Sequence, residues 1–165
     1  MKKSLLIGLA ALVLCGIGGG VYWWVTRDVR AVRELVGNAL SIVRKTPSKL
    51  PHAGVLKFTK VNEFFAPKVV ISCADPAFKL SLTNEELKTM VSFMSRKIES
   101  MGVDSSMVNV EIAGEQAVFS FDAEFSGRIS GKNEEFSRVY QVSGEAEKVD
   151  GTWKISLLMA ESIVK

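Results

Sequence analysis

Lys148-Val149-Asp150-Gly151-Thr152-Trp153-Lys154-Ile155, KVDGTWKI, is the stretch whose reading decides the fold. Asp-Gly between two alternating runs marks a two-residue hairpin turn, because both positions tolerate positive φ. Before the turn, Phe136 to Lys148 reads as one long strand with Tyr140, Val142, Gly144 and Ala146 on one face. After it, Trp153, Ile155, Leu157, Met159 and Ile163 close the sheet. The period of two begins further upstream. Val108, Val110 and Ile112 alternate with Asn109 and Glu111, and Gly114-Glu115 turns the chain. Ala117, Phe119, Phe121, Ala123 and Phe125 then point one way, and Ser120, Asp122, Glu124 and Ser126 the other. Ser130-Gly131-Lys132-Asn133 is the next turn. Clean alternation of this kind belongs to antiparallel strands with one face buried.

The period of the first half is helical. Val29, Val32, Leu35, Val36, Ala39, Leu40 and Val43 share one face of a helix predicted over Asp28 to Val43. Asp28 is placed to cap its start, and Pro47 and Pro51 end it. Thr46 to Gly54 is a loop. A short helix is expected over Val61 to Ala66, stopping before Pro67. Lys68 to Cys73 reads as a strand and Phe78 to Leu82 as an edge strand. Thr83-Asn84-Glu85-Glu86 matches a capping box. The helix behind it carries Leu87, Met90, Val91, Phe93, Met94, Ile98 and Met101 on a wide face, with Gly102 as its C-cap. At helical spacing these methionines read as core rather than as a promiscuous binding surface. The fold class is α+β.

At the other end of the chain, Leu5 to Val25 is an uncharged stretch, long enough as a helix to cross a bilayer. Its preferred reading is a retained membrane anchor. It exceeds a cleavable signal core and ends in Tyr22-Trp23-Trp24, rings that suit a lipid–water boundary and not a peptidase site. Leu12-Val13-Leu14-Cys15-Gly16 resembles a lipobox, but Leu14 stands where a small residue is normal. A cleaved signal and a lipoprotein lipidated at Cys15 stay open as alternatives. Gly16 and Gly20 have the spacing that lets two membrane helices pair. Basic residues flank both ends, so orientation is ambiguous, and an extracytoplasmic domain is the preferred side. The expected organisation is an anchor over 1–27 and one α+β domain over 28–165 of a single-pass bacterial membrane protein.

Charge is divided by region. Residues 27–60 hold eight Lys/Arg against two Asp/Glu, and residues 61–165 eleven against sixteen. The excess positive charge of the chain thus lies next to the membrane segment, where anionic lipid attracts it. The rest of the domain is mildly acidic, which argues against a nucleic-acid partner. Cys15 and Cys73 lie in the membrane segment and in a strand, so no disulfide framework is expected. No metal-ligand spacing or cofactor motif is present.

The pattern lysine, any residue, Asp-Gly, any residue, tryptophan, lysine, isoleucine over Lys148 to Ile155 resembles the final hairpin of the nuclear-transport-factor-2-like superfamily. Ile112-Ala113-Gly114-Glu115 and the Ala117 segment are similar to the strand pair before it. The resemblance implies a cone: helices packed into a curved antiparallel sheet with a pocket between them. That superfamily includes isomerases, dehydratases, ligand binders and interaction modules, so the fold does not select a function. Some of its members, such as inner-membrane scaffold subunits of type IV secretion systems, carry one N-terminal membrane helix. This chain shares that layout and no residue motif with them.

Candidate catalytic groups are few. His52, the only histidine, lies in the predicted loop and reads as an ordinary loop residue. In enzymes the fold resembles, a pocket Tyr and Asp polarise a carbonyl. Here Tyr140 and Asp122 fall on neighbouring strands with side chains predicted to opposite faces. Cys73 has no basic neighbour in sequence to activate it. No catalytic residue is assigned. Phe119, Phe121, Phe125 and Tyr140 are the pocket candidates, and the same four equally make a solid core. The sequence thus favours a membrane-anchored binding or scaffold domain, with the bilayer and a second copy or a membrane complex as partners. A small-molecule isomerase- or dehydratase-like enzyme with an apolar pocket is the alternative.

Overall fold

The computed structural model describes residues 26–44, 60–131 and 134–163. The segment Leu5 to Val25 with Cys15 and its glycines, the loop Thr46 to Gly54 with His52, and Lys132-Asn133 lie outside them. Among the described residues no helix is long and apolar enough to cross a membrane.

Among the described residues three helices and seven strands follow one another: α1 (26–43), α2 (Val61–Phe64), β1 (Phe65–Cys73), β2 (Phe78–Thr83), α3 (Asn84–Lys97), β3 (Ile98–Ser105), β4 (Asn109–Ala113), β5 (Gln116–Ile129), β6 (Glu135–Val149) and β7 (Thr152–Ser162). The strands form one curved sheet in the order β2-β1-β7-β6-β5-β3, with β4 beside the first half of β5. Every pairing is antiparallel except β1 with β7. The predicted edge strand is indeed at the edge. α3 carries the chain from the β2 edge to the β3 edge of the sheet.

The DG turn is as read: Asp150 and Gly151 have φ of 51° and 77°. So is the capping box. Thr83 Oγ1 accepts from the Glu86 N–H, and Glu86 Oε2 accepts from the Thr83 N–H at 2.8 Å. These bonds hold the Glu86 carboxyl below its ordinary range.

α1 lies against the inner face of the sheet. Its Val32, Leu35, Val36, Ala39 and Ile42 are buried together with Phe119, Phe121, Val103, Trp153 and Ile155. Two arginines on its flank fix its position: Arg33 Nε donates to the Val108 carbonyl at 2.9 Å and Arg44 Nε to that of Val103 at 3.0 Å. Ser106 links the ends of β3 and β4 to β5, donating its N–H to the Asp122 carbonyl and accepting from the Asp122 N–H.

Five local expectations are corrected. Asp28 is not a cap, because the helix already runs at residue 26; its carboxylate turns to Lys148 and Trp153 instead. The helical face gains Ile42, which is buried. Phe65 and Ala66 belong to β1, not to the short helix. Pro67 disfavours helical backbone in the residue before it, and Phe65 already pairs with Ile155. α3 stops at Lys97, so Ile98, Met101 and Gly102 enter β3 and pair with β5. Finally, the register between β6 and β7 shifts between Glu145 and Ala146. This bulge at Ser156 reverses the alternation. Leu158 and Ala160 then face inward opposite Gly144 and Val142, while Leu157 and Met159 face outward.

Candidate functional site

The ladders arrange the inner face in rows. Leu80, Ile71, Leu158, Gly144, Phe119 and Val110 pair in succession from β2 to β4. The next row is Phe78, Cys73, Ala160, Val142 and Phe121. Beyond it stand Ser162, Tyr140 and Ala123, and then Arg138, Phe125 and Val103. Directly paired residues share a face, so all these side chains belong to one surface.

That surface is filled unequally. Phe119 and Phe121 are 1% and 4% exposed, with ring centroids 6.4 Å apart, and they are core. Phe125 and Tyr140 are half-buried and meet edge to face at 5.9 Å and 74°. Towards the β2 edge, Phe78 and Leu80 remain 43% and 40% exposed. Across the opening, α3 buries only Leu87; Phe93 and Met94 are exposed, so its apolar stripe is not wholly core. The structure thus parts the four pocket candidates into a core pair and an open pair. The open pair continues into Phe78, Leu80, Cys73 and Ser162, which the sequence reading missed. Their alternation was visible in β2, but which face of β7 joined it depended on the bulge.

Asp122 is exposed on the outer face, paired with Gln141, while Tyr140 pairs with Ala123 on the inner face. The two cannot act on one molecule. Cys73 is half-buried, and its Sγ donates to the Asp75 carbonyl at 3.2 Å. Among the described residues no group of His, Cys, Asp and Glu is arranged to hold a metal ion.

One polar cluster is largely buried. Lys148 Nζ stands 2.9 Å from Asp28 Oδ2, and Trp153 Nε1 donates to Asp28 Oδ1 at 3.2 Å. The Lys148 ammonium also lies 5.0 Å from the centre of the Trp153 ring. Burial pushes the Asp28 carboxyl up. The two hydrogen bonds and the lysine charge outweigh it and hold the group below its ordinary value. Every acceptor of this cluster is already engaged by the fold, which makes it a clasp between α1 and the last hairpin. Two hollows, of about 120 and 310 Å³, open on the sheet, one lined by Gln116, Val118, Glu145 and Glu147, the other by Ser72, Cys73, Gln141, Met159, Ala160 and Glu161.

No family model matches the sequence. No curated protein matches it either. Solved structures do. The protein Kfla4162 from Kribbella flavida superposes with a TM-score of 0.72 at 11% identity, over 85% of this chain and 93% of that one. The hexachlorocyclohexane dehydrochlorinase LinA-type3 from Novosphingobium barchaimii gives 0.68 at 13% identity, over 84% and 88%. A dehydratase-like protein of the nuclear-transport-factor-2-like family from Streptomyces avermitilis gives 0.66 at 12% identity, over 85% and 99%. At such identities the likeness establishes the fold: this chain has the α+β cone of the nuclear-transport-factor-2-like proteins.

Proposed function

We propose that the domain takes a small, largely apolar molecule on the open part of its inner sheet face. One observation carries this reading. Phe125 and Tyr140 pack against the core that holds Phe119 and Phe121 yet stay only half-buried, and Phe78 and Leu80 on the same face are exposed. Partly exposed apolar side chains beside a filled core are the kind of lining that small-molecule sites use. The similar solved structures include a dehydrochlorinase and a dehydratase-like protein, which favours a small-molecule role over a pure scaffold.

Binding without turnover is the reading of this chain's own residues. Among the described strand residues the polar groups on the open face include the Tyr140, Ser105 and Ser162 hydroxyls, the Cys73 thiol and the Arg138 guanidinium, and Asp122 points away. An elimination enzyme of the kind those neighbours' names denote is the second reading. It would need a base on this face. We further propose that Leu5 to Val25 holds the domain at a bilayer on the extracytoplasmic side, where a membrane complex or a second copy would be its neighbour.

The test is saturation binding of the neutral apolar dye N-phenyl-1-naphthylamine. Tyr140→Ala and Phe125→Ala should abolish it, and Val118→Ser on the outer face should leave it intact. Equal binding by all variants would end the proposal. Turnover of a β-hydroxy ketone that Tyr140→Phe lowers without weakening dye binding would favour the enzyme. Protease digestion of a C-terminal tag from outside intact spheroplasts tests the membrane side; protection until lysis would place the domain in the cytoplasm.

A further inference from the structure

The inner sheet face carries cations and no carboxylate. Among its described strand residues the charged ones are Lys148 and Arg138. Lys148 is neutralised by Asp28 of α1. Arg138 is exposed, and among the described residues no hydrogen bond or ion pair engages it. The contrast with the other face of the same strand pair is direct: Arg128 on β5 donates to Glu135 on β6 at 2.6 Å.

Arg138 pairs with Phe125 and precedes Tyr140 by two residues, in a stretch where the β5–β6 register runs without a break. Residues two apart on a strand lie about 7 Å apart on one face. The guanidinium therefore stands beside the edge-to-face Phe125–Tyr140 pair, at the rim of the open apolar surface. An unneutralised cation beside an apolar surface selects a ligand with an apolar body and an anionic end, and a guanidinium matches a planar carboxylate with two parallel hydrogen bonds.

We propose that the site takes a mostly apolar molecule bearing a carboxylate, and that Arg138 holds the carboxylate. This rests on the small-molecule reading above and names its ligand class. The test uses two soluble probes of one shape, 4-phenylbutyrate and 4-phenylbutanol, titrated calorimetrically into the full chain. Wild type should bind both. Arg138→Gln should weaken the acid roughly tenfold or more, as loss of a charge-assisted hydrogen bond does, and leave the alcohol unchanged. Arg138→Lys should fall between, and Arg128→Gln should change neither. An unchanged urea midpoint establishes that Arg138→Gln is folded. Acid affinity indifferent to Arg138, equal loss of both probes, or equal weakening by Arg128→Gln would overturn the assignment. Binding of the alcohol alone would overturn the carboxylate and leave the apolar site standing. Binding of neither would overturn both.

Discussion

Gly144 lies directly beneath the ring of Phe119, so close that a Cβ built on it would stand 2.9 Å from Phe119 Cε2 and nearer still to Cζ. The two residues are opposite one another in the β5–β6 ladder. Glycine here is a packing requirement, since its backbone is ordinary strand. Gly144→Ala is expected to cost about 1–3 kcal/mol by overpacking. Urea unfolding measures it. The same Cβ would press on the backbone carbonyl of Leu157, so a neutral result would mean that both the Phe119 ring and the β7 backbone can give way.

Phe119 and Tyr140 share a face but not a role. Phe119→Ala empties a site that is 1% exposed and should cost about 3–5 kcal/mol. Tyr140→Ala removes a half-buried ring and should cost clearly less. Near-equal losses would mean that Tyr140 is core and the open surface is not one.

The Asp28 clasp makes stability depend on pH in a defined sense. The folded carboxyl titrates below its unfolded value. Its contribution is therefore full above about pH 4, the unfolded range, and is lost as pH falls through the lower folded value. Asp28→Asn should lose about 1–3 kcal/mol at neutral pH, because it strands the Lys148 ammonium. The gap between variant and wild type should narrow in acid. A gap of the same size at both ends would mean that charge plays no part. Trp153→Phe removes the indole donor and also shrinks a ring that is 5% exposed, so most of its cost should persist in acid, unlike that of Asp28→Asn.

At the other end of the sheet, Thr83→Ala removes the hydroxyl that caps α3. About 1 kcal/mol of stability should go with it. Thr83→Ser should restore most of the loss, and a serine variant as weak as the alanine one would show that the methyl group, not the cap, matters.

Much of this fold was legible because two signals are local. Strict alternation from Ala117 to Phe125 and around Asp150-Gly151 depends only on neighbours in sequence, and so does the Thr83–Glu86 box. What was not legible came from contacts distant in the chain. Ile98 to Ser105 carries apolar residues at helical spacing after α3, and only pairing with β5 makes it a strand. The reversal of faces in β7 comes from a bulge that no residue type announces. Asp28 looks like a cap until Lys148, 120 positions away, claims its carboxylate. At the candidate site, Tyr140 and Phe125 were readable from their alternation. Arg138 was equally readable, two residues before Tyr140, but its lack of a partner is a property of the assembled sheet.

The place of β7 has a bearing on how the chain is made. It is the last of the described strands and sits in the interior of the sheet, joining β1 in parallel on one side and β6 on the other. Until residues 152–162 leave the ribosome, the β1–β2 pair has no seam to the β5–β6 ribbon. Before then the sheet is two ribbons with unpaired edges, linked through α3 and the shared core. A message truncated a few codons before Trp153 would yield not a shorter domain but none, and quality control should clear it.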